Sequence, residues 1–370
     1  MKMKSNKFNY LIRIPGTSLL IVFAIGLLIT FSRCAPEFII DNPYEEVNWV
    51  DYGRFKADLH AHTSRSDGNF SPHIIVDRYH DLGYEILAIA DHNRVTYPWQ
   101  EFSTFTASDL TFRRQEDGWF DHLSHEEVFV YEDRDPDVME MIAVQANEVS
   151  QHHHLGSYFN DHPGGTLETV EETLEAIAAK DGIAVLFHPG LYDGTRENWQ
   201  YHPIDWYIDI YQSYDHLVGA ENHNLARWDS TLIRLMPERP VWGFSNDDYH
   251  RGIMGRRWNV FLLPELSIDQ VRYGMEKGLL YFVHAPEGPE GPSVPEISSI
   301  SVNSRKGIIS IEATGYEYIE WISDNNVIHT GNNIDIKDFP EVTGYVRAEI
   351  KESENGPLAG TQPFGIRRDK

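Results

Sequence analysis

An α/β fold with a small antiparallel β region behind it is what this 370-residue chain predicts. Three observations predict it. Short apolar runs that end in polar residues alternate with capped amphipathic segments, which is a βα repeat. Residues able to bind metal fall at or just beyond the C-terminal ends of those runs, where closed βα barrels gather their functional groups. After Gly288-Pro289-Glu290-Gly291-Pro292 the rhythm changes to short alternating runs with Gly and Asn at the turns.

The first 34 residues stand apart from this pattern. Lys2, Lys4, Lys7 and Arg13 make a basic start, Leu19 to Phe31 an apolar run, and Phe31-Ser32-Arg33-Cys34 follows with the one cysteine of the chain. A basic leader before an apolar run is what a bacterial export machine reads. Three forms of the segment stay open, one of them a signal that is simply cleaved. Cys34 becomes the lipidated first residue of an exported protein, although Arg33 stands where a small residue is usual. Alternatively the nineteen uncharged residues between Arg13 and Arg33 anchor the chain in the membrane, near the ~20 needed to span hydrocarbon. All three put the folded part outside the cytoplasm, periplasmic or at the cell surface, and lipidation or an anchor attaches it to membrane. With a single cysteine no internal disulfide forms there, and stability rests on packing and bound metal.

Strands are predicted at Phe55 to His60, Glu85 to Ala90, Met141 to Val149, Ile183 to His188, Leu217 to Glu221 and Val241 to Ser245, with a seventh at Leu280 to His284. Their unbroken apolar character suits buried parallel strands. Ser71-Pro72 opens a helix that stops at Gly83, Thr166 one that runs through Leu174 and Ile177 to Gly182, and Ser267 one that ends at Gly278. Residues 35–286 form one unit by this reading, with residues 97–138, rich in aromatic and acidic side chains, inserted as a wall of the site or as decoration. Residues 293–370, with runs at Ile300-Ser301-Val302, Gly307 to Ala313, Tyr318 to Ile322 and Gly344 to Ile350, read as a small antiparallel β-sandwich. It carries no group of metal-binding residues, so its expected role is structural or partner-binding, with no protein partner specified.

The chemistry is concentrated in a few words. In Asp58-Leu59-His60-Ala61-His62-Thr63, residues i and i+2 of a strand share a face, so one ion can take both imidazoles. Asp67 follows in Ser66-Asp67-Gly68. Farther on come Asp91-His92-Asn93, Glu148, the His152-His153-His154 run, His188-Pro189-Gly190 and Asp248-Tyr249-His250. Most histidines of a protein are merely hydrogen-bonded. Of the 18 here, His73, His80, His122, His125, His202, His216, His223 and His284 fit no metal spacing.

In order and spacing these words resemble the successive motifs of the polymerase and histidinol phosphatase (PHP) family of metal-dependent phosphoesterases, over roughly residues 55 to 285. The resemblance implies a distorted (β/α)7 barrel and two or three divalent metal ions. It implies that His60, His62, Glu148 and Asp248 hold a first ion, that Glu148 bridges to a second held also by His188 and by His153 or His154, and that Asp67, His92 and His250 hold a third. Asp67 stands where some relatives carry His, which tilts that position towards Mn²⁺ or Fe²⁺ rather than Zn²⁺. Asp91 is expected to orient His92 or a neighbouring ligand. Arg94 and Arg251 are expected to grip the non-reacting part of a phosphate. Glu221-Asn222 is expected to line the cleft without ligating.

Three ions bring about +6 against about −3 from Asp67, Glu148 and Asp248, a surplus that draws a phosphate and stabilises charge on its oxygens. Water bridging two ions deprotonates near neutral pH and becomes the nucleophile. A net charge of −26 repels phosphate backbones, so no stable nucleic-acid complex is expected. The expected substrate is a small organic phosphate or a nucleotide. Hydrolysis of short oligonucleotides, of a non-phosphate bond, or metal-dependent ligand binding without turnover are the alternatives.

Overall fold

In the computed structural model, which describes residues 38–99, 135–165, 168–191 and 202–368, the chain opens with β1 (Phe38–Asp41) and enters the long strand β2 (Gly53–Ala61). The export segment ending at Cys34, residues 100–134 of the insertion, and Thr166 and Leu167 lie outside the described residues. Helix α1 (Pro72–Asp81) begins with Pro72, whose missing N–H is not needed in a first turn, and ends ahead of Gly83 at φ +74°. Next come β3 (Ile86–Ile89), β4 (Ile142–Val144), β5 (Ala146–Val149) and β6 (Leu155–Tyr158). Helix α2 (Val170–Ala179) is capped by Thr169, whose side chain and Glu172 satisfy each other's backbone N–H groups. Then follow β7 (Ile183–Leu186), α3 (Ile204–Ser213), β8 (Leu217–Glu221), α4 (Leu225–Leu235), β9 (Trp242–Phe244) and β10 (Arg257–Leu263). Helix α5 (Ile268–Lys277) lies between the Ser267 cap and Gly278 at φ +71°, and leads into β11 (Leu280–His284).

The strand directions are mixed. β2, β3 and β4 pair in parallel, as do β7, β8 and β9, whereas β6 is antiparallel to both β5 and β7, and β10 is antiparallel to β2 and β11. Met141 to Val149, expected as one strand, is two, because Gln145 parts β4 in the large sheet from β5 in a five-stranded one. No sheet closes on itself among the described residues, so the hydrogen bonding does not complete the distorted seven-unit barrel expected. The two sheets touch at two isolated parallel bridges, Ala61 with Tyr249 and His92 with Glu148. There His62 N donates to Tyr249 O at 3.0 Å and Asn93 N to Glu148 O at 2.8 Å. Regular pairing stops where side chains must be aimed, and Asn93 and Asp248 sit at φ +51° and +48°. Between the sheets lies one core, with Leu59, Ile86 and Val144 from one side packed with Tyr158, Val185 and Phe187 from the other.

The C-terminal strands are β12 (Glu296–Asn303), β13 (Ile308–Thr314), β14 (Tyr318–Ser323), β15 (Asn326–Thr330), β16 (Asn333–Asp335), β17 (Tyr345–Lys351), β18 (Leu358–Gly360) and β19 (Phe364–Arg368). β12, β13 and β16 make a three-stranded sheet. The others extend the large sheet, because β18 pairs with β11 and β19 with β1. The expected separate sandwich thus shares its larger layer with the main sheet, and this pairing covers the edge that β11 would otherwise expose. Arg347 on β17 reaches Asp229 on α4 at 2.7 Å, both buried.

Candidate metal centre

The centre is built from strand ends. His60 lies in β2 and His62 one residue past its end, and their Nε2 atoms stand 2.9 Å apart. Asp67 is brought under them by a tight turn closed by Gly68 N donating to Thr63 O at 2.9 Å; a Cβ at Gly68 would lie 2.4 Å from the His62 carbonyl oxygen. His92 follows β3, Glu148 lies in β5, His154 opens β6, His188 follows β7, and Asp248 and His250 follow β9.

These groups converge as three overlapping sets. His60 Nε2 and His62 Nε2 each approach Glu148 Oε2 (3.3 and 3.2 Å) and Asp248 Oδ1 (3.3 and 3.2 Å). Glu148 Oε1 meets His154 Nδ1 at 2.6 Å and His188 Nε2 at 3.1 Å, and Oε2 meets His92 Nδ1 at 2.9 Å. Asp67 Oδ1 meets His250 Nε2 at 3.0 Å, and His92 Nε2 and His62 Nδ1 at 3.5 Å. His62 and His92 therefore each face two sets, one ring nitrogen to each. His60, His62 and Glu148 are buried, whereas Asp67 and His250 are 38% and 29% exposed, so the centre opens to solvent on the Asp67–His250 side.

The donor set fits divalent ions. Glu148 Oε2, Asp248 Oδ1 and Asp67 Oδ1 are buried atoms satisfied by no hydrogen bond, which in a folded protein calls for an explanation. Ligands held at about 2.1 Å around a shared cation stand roughly 3 to 3.5 Å from one another, and that is the spacing here. The electrostatics agree. Burial works to lower the His60 pKa, but the charges of Glu221, Asp248 and Glu148 outweigh it and hold it well above the ordinary histidine value. Burial works to raise Glu148, but His154, His92 and His60 outweigh it and hold it well below the carboxylate range. Asp248 is held down in the same way by His60 and His62. Such a site favours positive charge at its centre. His154 goes the other way: burial lowers its pKa, so it offers a neutral ring.

The histidine run resolves into two roles. His154 faces Glu148, whereas the buried His153 donates from Nδ1 to the His154 carbonyl (2.9 Å), turns Nε2 to the Tyr207 hydroxyl (3.0 Å) and stacks on Trp206. His153, one of the two candidates for the second ion, is thus turned away from the ligand sets by Tyr207 and Trp206. Asp91 lies beneath the centre, fully buried, and its carboxylate accepts from Thr63 N and Oγ1, Ser66 Oγ and Thr96 Oγ1 at 2.6–2.8 Å. It reaches a ligand through Ser66 Oγ, which is 3.3 Å from His62 Nδ1, and not through His92. Arg94, half-buried, and Arg251, exposed, follow His92 and His250 on the adjoining loops.

Two contributors escaped the sequence. Glu221, expected only to line the cleft, contacts the far edge of His60, with Oε1 2.8 Å from Nδ1. Phe187 lies flat on the same ring at 3.7 Å and 17°, in space that Gly156 leaves open. Glu221 was signalled by its place at a predicted strand end; Phe187 carried no signal beyond its hydrophobicity. His223 and His284, which fit no metal spacing, are held by Asn246 O (2.7 Å) and Asn222 Oδ1 (3.1 Å).

No protein-family model matches the chain, and no curated protein does. Among solved structures it is similar to a two-domain protein from Bacteroides vulgatus containing a predicted PHP-like metal-dependent phosphoesterase, at 13% identity over 86% of this chain and 96% of that one, with a TM-score of 0.47. It is also similar to an amidohydrolase from Chromobacterium violaceum, solved with sulfate and no metal, at 13% identity over 52% of this chain and 87% of that one, with a TM-score of 0.32. At these scores the likeness is loose, and the centre stands on its own atoms.

Proposed function

We propose that the protein is a metal-dependent phosphoesterase that hydrolyses small phosphorylated molecules at a centre of two or three divalent ions. One observation carries this: nine side chains from seven separate strand ends or loops each bring a ligand atom within 2.6–3.5 Å of at least one other. They are His60, His62, Asp67, His92, Glu148, His154, His188, Asp248 and His250. When bound, divalent ions supply Lewis acidity towards phosphoryl oxygens and a water acidic enough to attack at neutral pH.

The side chains supply the rest. Glu148, with one oxygen towards His60 and His62 and the other towards His154 and His188, links two ion positions. Asp67, on the open side, gives the outermost position a harder ligand, which favours Mn²⁺ or Fe²⁺. Neutral imidazoles leave the positive surplus that a phosphate needs. Arg94 and Arg251, which follow His92 and His250 in the chain, would hold the non-reacting phosphate oxygens. On this reading the strand ends around the centre form one distorted barrel, whose two sheets are joined at the two isolated bridges. The acidic chain disfavours long nucleic acid, and the N-terminal segment would export the enzyme to the periplasm or the cell surface, attached to membrane where Cys34 is lipidated or the apolar run is kept as an anchor.

A panel of phosphomonoesters, nucleotides, a short oligonucleotide, an amide and a lactone, assayed with ions re-added, tests this. Turnover confined to small phosphoesters is the expected result; turnover of the amide or lactone alone would overturn it.

A further inference from the structure

Glu221 ends β8 beside β7, where Leu186 pairs with Ala220, so its carboxylate reaches the residue two places beyond β7, and it also meets His60 on β2 of the other sheet. Its Oε1 lies 2.8 Å from His60 Nδ1 and receives Asn246 Nδ2 at 2.9 Å; its Oε2 receives the His188 backbone N–H at 2.9 Å. All three partners must be donors, because an ionised carboxylate only accepts. His60 therefore carries a proton on Nδ1, so Nε2, the atom turned to His62, Glu148 and Asp248, is the nitrogen left to give its lone pair to an ion. The opposite tautomer would aim an N–H at the very position an ion must take. Phe187, stacked on the ring, fixes its plane. At His188 the same carboxylate anchors a backbone at φ +29°, a conformation a histidine does not keep without support.

We propose that Glu221 is a positioning residue that joins two ion positions, setting the His60 tautomer for one and the His188 backbone for the other. This rests on the metal-centre reading above. An amide in its place has one acceptor oxygen for donors on two sides. Whichever way it turns, its NH₂ meets either the His188 N–H or His60 Nδ1. The second clash is relieved only if His60 takes the other tautomer and gives up its ligand nitrogen.

The test uses the full chain, stripped with a chelator and titrated with Zn²⁺ and Mn²⁺ in competition with a chromophoric chelator, for wild type and Glu221→Gln. Loss of a carboxylate behind a metal-bound imidazole typically weakens the site 10–100-fold, and a weakening of that size is expected, with both stripped proteins still folded at the titration temperature. Alongside it, ¹⁵N-imidazole spectra of Zn²⁺-loaded wild type are expected to show His60 protonated at Nδ1 and bound through Nε2. Equal affinities in the two proteins, or His60 bound through Nδ1, would overturn the proposal while leaving the metal centre standing. A wild type that takes up no ion would overturn both.

Discussion

His154 Nδ1 stands 2.6 Å from Glu148 Oε1, whereas the adjacent His153 is turned to Tyr207. Two neighbouring histidines thus predict opposite phenotypes. His154→Ala is expected to lower bound-ion content and turnover with little change in the stability of the stripped protein. His153→Ala removes a buried, stacked ring and is expected to keep the ions while lowering stability by about 1–3 kcal/mol. Elemental analysis and urea unfolding of the two variants check this, and the reverse pattern would exchange their roles.

Asp91 holds the 63–66 turn and Thr96 through four hydrogen bonds in a fully buried setting. Asp91→Ala strands those donors and is expected to cost at least about 1–3 kcal/mol. Because Ser66 also braces His62, ion affinity should fall with it. An unchanged urea midpoint and unchanged affinity would show that the turn does not need the carboxylate.

Burial keeps two histidines outside the centre neutral, against the opposing charge of Glu171 at His202 and with the help of Arg257 at His284. His202 is pushed down to about 4 and His284 well below the ordinary value. The unfolded chain takes up those protons near pH 6.5 and the folded chain does not. Their contribution is therefore whole above pH 6.5 and is lost as pH falls towards 4. Denaturation midpoints of stripped protein from pH 7 to 4 should decline, and His202→Gln should flatten that decline. A profile identical to wild type would contradict the assignment.

Asp229 on α4 receives Arg347 Nε and Nη2 at 2.8 and 2.7 Å and the Tyr345 hydroxyl at 2.8 Å, tying the C-terminal strands to the α/β part. Asp229→Ala leaves a buried guanidinium with only Glu349 as a carboxylate partner and is expected to cost about 3–5 kcal/mol. The protein should unfold in one transition, followed by fluorescence and circular dichroism; two separated transitions would mean that the strand pairing of β11 with β18 couples the regions weakly.

The sequence announces the parts of this molecule that obey local rules. Pro72, Ser267, Gly83 and Gly278 mark helix ends because cap chemistry is local, and Leu217–Glu221 and Leu280–His284 emerge as strands at the predicted bounds because both faces are buried. The convergence of His60, Glu148 and Asp248 is legible because each needs only to end a strand at one rim. Strand direction and sheet membership were not legible. That β6 runs antiparallel, that Gln145 splits a run in two and that β18 covers β11 depend on partners remote in sequence. The same holds for His153 against His154, since alternate positions of one short run differ only in what the fold places opposite them, and for Glu221, whose partner His60 lies 161 residues away.

Elemental analysis of the purified chain, with activity on a generic phosphoester measured after chelation and after re-adding Mn²⁺, Fe²⁺ or Zn²⁺, bears most directly on the central claim. Two or three transition ions per chain, activity lost on stripping and restored by re-addition, and neither in Glu148→Ala, are the results this account predicts. A pure protein that never retains such an ion, or that keeps full activity in chelator, would contradict it.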